Sequence, residues 1–195
     1  IDLHVNDLNH EFSVIIVNDC STEERPINVS NFSNLKSIKI VNMKKNRGHA
    51  RSNATGLKFI NEKEDFDYVI PMDGDGEDKP EELSLLFSKA KKNLDRVIVA
   101  TRFKRSESSL FKFFYTIHIY LTFIFTGRLI KFGNYTFLPK SFVKEAVKDP
   151  DLWNSFVGTI EKLAKKKANI LSTRGNRYFG SSKMNFINLV KHSLS

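Results

Sequence analysis

The sequence predicts an α/β fold: a mainly parallel sheet flanked by helices. Three observations predict it. Four short runs rich in β-branched residues, "FSVIIVND" (12–19), "SIKIVNM" (37–43), "DYVIPM" (67–72) and "RVIVATR" (96–102), recur along the chain. In the first of them the apolar residues are continuous rather than alternating, the mark of a strand covered on both faces. Helical patterns separate the second run from the third and the third from the fourth, and strand–helix–strand spacing implies right-handed crossovers between parallel strands.

The opening residues read as the end of a helix, so a preceding piece of chain is expected. The first strand follows at 12–19 and the second at 37–43. From Gly48 to about Ile60, Ala50, Ala54, Leu57 and Phe59 approximate helical spacing. The third strand, 67–72, carries Pro71 near its end. The next helix is expected over 79–93, with Pro80 in its first turn, where a missing N–H costs nothing. Glu81 and Glu82 complement its amino-terminal dipole, and Asp78 is placed to cap it. The fourth strand is 96–102. No internal repeat or low-complexity linker appears, so residues 1–195 read as one domain.

Composition narrows the function. An apolar content of 41% suits a folded core. The single cysteine, Cys20, excludes an internal disulfide and points to a reducing compartment. Lys and Arg number 31 against 22 acids, a formal charge of +9, which suits an anionic partner or simply a solvated basic surface. Of the 17 Phe, five fall in the stretch 110–130, which favours a membrane surface; no base-reading motif suggests nucleic acid.

Against that basic background, "MDGDGEDKPEEL" (72–83) collects Asp73, Asp75, Glu77 and Asp78 directly after a strand. Carboxylates so close repel unless a cation sits among them. A calcium EF-hand is excluded, because the sixth and twelfth positions from Asp73 hold Asp78 and Ser84 instead of Gly and Glu. A bare D-x-D is common by chance, and a solvated loop is the plain alternative. Yet ligands of open α/β sheets collect beyond the carboxyl ends of strands, and Asp19, Asp73, Asp75 and Arg102 all end strands here. A hard ion such as Mg²⁺ prefers few carboxylates plus phosphate oxygens. Gly74 and Gly76 would let a diphosphate approach the backbone.

Six stretches carry a resemblance. "VNDCS" (17–21), "NRGHARSNATG" (46–56), the acidic stretch, "ATRF" (100–103), "GNYTFLPK" (133–140) and "RYFGSSK" (177–183) stand in the order seen in family 2 glycosyltransferases. The chain is most similar to their polyprenyl- and dolichyl-phosphate sugar synthase branch. The resemblance implies a GT-A fold whose first strand would precede Ile1. It also implies inverting transfer from a nucleotide-sugar donor to a lipid phosphate, with Mg²⁺ or Mn²⁺. By resemblance Asp19 and Asp73 bind the nucleotide, and Asp73, Asp75 and Glu77 bind the metal. Asp75, Arg102 and Arg177 become the catalytic candidates, the arginines holding phosphates, while Lys112 and Thr116 fall in the acceptor region. Two departures are plain: D-D-G-S reads Asn18-Asp19-Cys20-Ser21, and the acid expected before "GNYTF" is replaced near Lys131.

A lipid phosphate is already an anion and needs no general base, whereas a hydroxyl acceptor needs one, a role open to Asp78. The alternatives are therefore a relative acting on a carbohydrate hydroxyl, or a non-catalytic basic membrane-binding remnant. The stretch 110–130 has no formal charge between Lys112 and Arg128, shorter than the roughly 20 residues of a spanning helix. It reads as an interfacial helix or a core helix, and 182–195 as a second amphipathic candidate. The expected location is the cytoplasmic face of a membrane, peripheral or anchored by segments outside this chain. His49 is expected to pack or lie near phosphate, Trp153 to lie in the core, and "KLAKKKAN" (162–169) to be a solvated helix end. The "NRGHARSNATG" glycines make no dinucleotide fingerprint.

Overall fold

A computed structural model describes residues 1–22, 32–104, 132–173 and 175–178. Strands β1 (Phe12–Asn18) and β2 (Leu35–Asn42) pair in parallel as a two-stranded sheet. Strands β3 (Tyr68–Val69), β4 (Val97–Lys104), β5 (Phe132–Pro139) and β6 (Lys167–Thr173) form a second sheet in the order β3-β5-β4-β6. Strand β5 is antiparallel to both β3 and β4, and β4 is parallel to β6. It follows that β3, β4 and β6 all point one way and β5 points back.

The α/β architecture, parallel strands flanked by helices, is the predicted one, but β5 and β6 were not foreseen. Gly133, Asn134 and Pro139 dilute the strand signal of β5. The lysines of 162–169 hid the start of β6 at Lys167, so that stretch is not simply a helix end. Strand β3 is shorter than its sequence run because Pro71 has no N–H to extend the ladder.

The four-stranded sheet is covered on both faces. Helices α2 (His49–Lys63), α4 (Lys140–Ala146) and α5 (Phe156–Leu163) bring Ala54, Leu57, Phe142, Val143, Phe156 and Ile160 against Val97, Val99 and Leu138. Helix α3 (Leu83–Lys91) packs Leu86, Phe87 and Ala90 on the other face, against Ile98, Ala100, Tyr135 and Phe137. The short helix α1 (Asp2–Val5) adds Val5 to that second cluster. Successive β4 side chains thus alternate between two cores, which explains the unbroken apolar run.

Trp153 was expected in the core, but it is 37% exposed at the end of the 3₁₀ turn Pro150–Trp153. Leu152 and Phe156 fill that place instead. Ser155 caps α5 by accepting from the Gly158 amide at 3.0 Å. Among the described residues no helix is long and apolar enough to cross a membrane. The stretches 110–130 and 182–195 lie outside the described residues.

Candidate active site

Because β3, β4 and β6 are mutually parallel, their carboxyl ends share one edge of the sheet, and the amino end of β5 lies there too. Four chain segments meet at that edge, where α/β proteins bind ligands. The acidic loop follows β3. Asn134 opens β5, and its Nδ2 donates to Asp73 Oδ1 at 3.0 Å. Residues 175–178 follow β6 and lie directly on the acidic loop.

Within the loop the carboxylates have distinct partners. Asp78 Oδ2 accepts from the Asp73 amide at 2.8 Å, and Asp75 Oδ1 accepts from the Glu77 amide at 3.0 Å. Asp78, expected as the cap of the next helix, therefore turns back into its own loop; Lys79 stands at the N-cap of the 3₁₀ turn Pro80–Glu82 that leads into α3. The turn places Glu82 so that its Oε1 accepts from the Thr173 amide at 2.9 Å. Lys79 Nζ donates to Thr173 Oγ1 at 2.9 Å. The Tyr135 hydroxyl donates to the Lys79 carbonyl at 2.9 Å, and burial pushes that phenol far above its usual range.

Arg177 binds the loop with its guanidinium fork. Its Nη2 lies 2.9 Å from Asp75 Oδ2, and its Nε donates to Glu77 Oε1 at 2.9 Å. The bond to Glu77 leads in raising the Arg177 pKa above its ordinary value, with the charges of Asp75, Glu77 and Asp73 adding to it. The side chains are sheltered, Asp75 28% and Glu77 10% exposed, so this is more than a screened surface pair. The backbone follows the side chain: Gly175 N donates to Glu77 O at 2.8 Å, and Tyr178 N to Asp75 O at 2.9 Å.

Two glycines permit this close approach. A Cβ on Gly76, whose φ is +91°, would stand 2.6 Å from the Tyr178 ring. A Cβ on Gly175 would stand 2.3 Å from the Gly76 carbonyl oxygen. The space at Gly76 that was assigned to a diphosphate is therefore taken by Tyr178, while Gly74 faces open space. A cavity of about 480 Å³ opens beside the crossing, lined among others by Lys79, Glu81, Glu82, Arg177 and Tyr178.

The remaining candidates are placed as follows. Asp19 accepts from the Arg47 and Gly48 amides, each at 2.7 Å, so it ties the end of β1 to the start of α2. No hydrogen bond or ion pair joins it to the acidic loop among the described residues. The Arg102 backbone pairs with Ser172 across β4 and β6; its side chain, like Lys112 and Thr116, lies outside the described part. Of the three residues chosen as metal ligands, Asp75 and Glu77 share one cation, Arg177, and Asp73 is held by Asn134. Among the described residues no three His, Cys, Asp or Glu side chains converge to hold a metal. A hard ion such as Mg²⁺ is commonly held by one or two carboxylates plus substrate phosphate oxygens, and the two oxygens on Arg177 suit that need.

Reasoning from sequence missed Asn134, Lys79, Glu82 and Tyr178 as site residues. Asn134 and Tyr178 lie inside stretches that carried the family resemblance, which was the available signal. Lys79 and Glu82 read as ordinary helix-start residues.

An acidic loop fastened by an arginine-bearing strap thus stands at the carboxyl edge of an α/β sheet, where proteins of this class bind ligands. The particular class follows from comparison: the sequence model of the family described as Glycosyl transferase family 2 matches residues 4–148. The chain belongs to that family and is a glycosyltransferase. Enzymes of this family commonly use divalent metals. Among curated proteins no match is found.

Proposed function

We propose that the enzyme transfers a sugar from a nucleotide-sugar donor to a polyprenyl phosphate, of the dolichyl or undecaprenyl type, with inversion and with Mg²⁺ or Mn²⁺. The observation that carries this reading is the meeting of the acidic loop with Arg177 at the shared carboxyl edge of β3, β4 and β6. Such an edge can take a diphosphate by charge from both sides.

Asp75 and Glu77 would hold the divalent ion, with Asp73 at its nucleotide side. When bound, the ion offsets charge growing on the departing nucleoside diphosphate. Arg177 and Arg102 would add charge-assisted bonds to phosphate oxygens, for which the planar guanidinium is suited. Asp19 would complete the nucleotide side through the loop it clamps. Lys112 and Thr116 would meet the acceptor.

One chemical argument and one observation favour a phosphate acceptor over a carbohydrate hydroxyl. A phosphate enters the reaction as an anion and needs no base. Asp78, the carboxylate a hydroxyl acceptor would use, is buried and accepts from the Asp73 amide. The surplus of basic residues and the aromatic stretch 110–130 support work at the cytoplasmic face of a membrane, where each nearby Lys or Arg contributes on the order of 1 kcal/mol at an anionic leaflet.

The test is a transfer assay crossing UDP- and GDP-sugars with polyprenyl phosphate and oligosaccharide acceptors, with and without Mn²⁺. Transfer to the lipid phosphate, lost in Asp75→Asn, is expected. Transfer confined to hydroxyl acceptors, with a rate that falls in acid as a required base is protonated, would move the reading to the carbohydrate-directed alternative. Absence of nucleotide binding with Mn²⁺ would leave a non-catalytic membrane-binding protein.

A further inference from the structure

The acidic loop already carries a cation of its own. Arg177 presents two N–H donors to Asp75 and Glu77, both at 2.9 Å, and so occupies the two carboxylates that the metal-dependent reading gives to the ion. Two bulky charges cannot occupy one gap between the same oxygens. We propose that Arg177 and a divalent metal are alternative occupants of the Asp75–Glu77 pair, so that metal loading releases the strap 175–178 from the loop. The inference rests on the metal-dependent reading above.

The fold supports such an exchange. The strap is fastened to the loop by the arginine fork, by two backbone bonds and by the Tyr178 ring over Gly76. All of these bear on residues 75–77, so losing the fork removes two charge-assisted bonds of the attachment together. Beyond the crossing, β6 is held independently: Thr173 binds Glu82 and Lys79. The strap can therefore leave while the strand stays paired with β4. The cavity beside it offers room for the displaced side chain. A guanidinium freed next to a metal-bound diphosphate is also delivered to the anion it suits. Holding the arginine on the carboxylates offsets part of the loop's negative charge before the donor arrives and sets a threshold for metal binding.

Linkage makes the idea measurable, because an internal competitor weakens apparent metal affinity by the same factor with which metal weakens the internal bond. Mn²⁺ is titrated calorimetrically into the full chain and its Arg177→Gln, Arg177→Lys and Lys79→Gln variants. Arg177→Gln should bind Mn²⁺ about tenfold tighter in the absence of donor, and Arg177→Lys should fall between it and the parent. Lys79→Gln removes the same charge nearby without touching the carboxylate pair, and should change affinity by less than about twofold. In the unmutated chain, saturating Mn²⁺ should accelerate hydrogen exchange at the Gly175 and Tyr178 amides, a readout that does not depend on any variant folding.

If the parent binds Mn²⁺ but Arg177→Gln binds it no tighter, or Lys79→Gln matches Arg177→Gln, or the two amides stay protected, competition at this pair is overturned and the metal-dependent reading survives. If neither parent nor variant binds Mn²⁺, with or without UDP or GDP, the metal-dependent reading falls and this inference with it.

Discussion

Two sheets of nearly identical sequence character behave differently in this molecule. In β4, Val97, Ile98, Val99 and Ala100 are all buried, at 3%, 0%, 5% and 3% exposure. In β1, Val14, Ile15, Ile16 and Val17 form an equally apolar run, yet none of them is buried. Strand β4 has a strand on each edge and helices over each face. Strand β1 has β2 on one edge, and its other edge meets no strand among the described residues. Helix α2 closes tightly on it, so tightly that a Cβ on Gly56 would stand 3.0 Å from Val17 Cγ2. Burial belongs to the layers around a strand; composition only makes it permissible.

The two regions also use their carboxylates differently. Asp19, at the end of β1, spends both oxygens on the backbone and fixes a loop. Asp75, in the loop after β3, keeps one oxygen on the Glu77 amide and gives the other to Arg177, and Glu77 Oε1 accepts from the same guanidinium, which comes from far along the sequence. A carboxylate bonded to amides is part of the frame. One bonded to an arginine can exchange partners.

The sharpest way to break the first contrast is truncation on each side of it. Phe137→Ala should cost about 3–5 kcal/mol, because Phe137 is 1% exposed between α3 and Tyr68. Ile16→Ala in β1 should cost about 1–2 kcal/mol, less than a fully buried isoleucine would, because the site is half open. Urea unfolding of both variants checks this, and equal losses would erase the distinction between the sheets.

Next in size is Gly76→Ala, expected to cost on the order of 1–3 kcal/mol from its positive φ and from the clash with Tyr178. Its effect should be local, with faster exchange at the Tyr178 amide and unchanged protection in β4. Spread of the effect into β4 would show that strap and sheet are one unit.

Asp19→Ala should cost about 1–2 kcal/mol by freeing the Arg47 and Gly48 amides. Measured beside nucleotide affinity, it separates a framing role from direct contact: loss of stability with affinity retained at saturating fold would confine Asp19 to the frame.

The smallest effect is electrostatic. The bond from Lys162 leads in holding the Asp149 carboxyl below its ordinary value. A depressed carboxylate contributes stability above its unfolded value and loses it as pH falls through the folded value. Because the Lys162 ammonium and its second partner Asp151 stand about half in solvent, screening weakens the pair, and Lys162→Gln should shift the unfolding midpoint only slightly near neutrality. The shift should vanish in acid, and persistence there would point to packing by the lysine stem instead.

Much of this was legible in the residues themselves. Runs rich in β-branched residues announced β1, β2 and β4, and Pro80 with its two glutamates announced the start of a helix. Strand β5 was hidden because Gly133, Asn134 and Pro139 are locally turn-like, and only pairing with β3 and β4 makes them strand. The acidic cluster was visible as unusual, and Arg177 was picked out by resemblance. That the two touch was not visible, since about a hundred residues lie between them.

By itself the sequence determined the α/β class, the carboxylates clustered behind a strand, and the glycines that keep that loop thin, because periodicity, turn chemistry and charge density are local properties. The tertiary structure alone decided which carboxylates share a cation, which one is spent on the backbone, and which apolar strand is sheltered. Those outcomes depend on a reversed β5 that brings three parallel strand ends to one edge, and on β6 carrying its arginine there, through contacts whose partners are far apart along the chain.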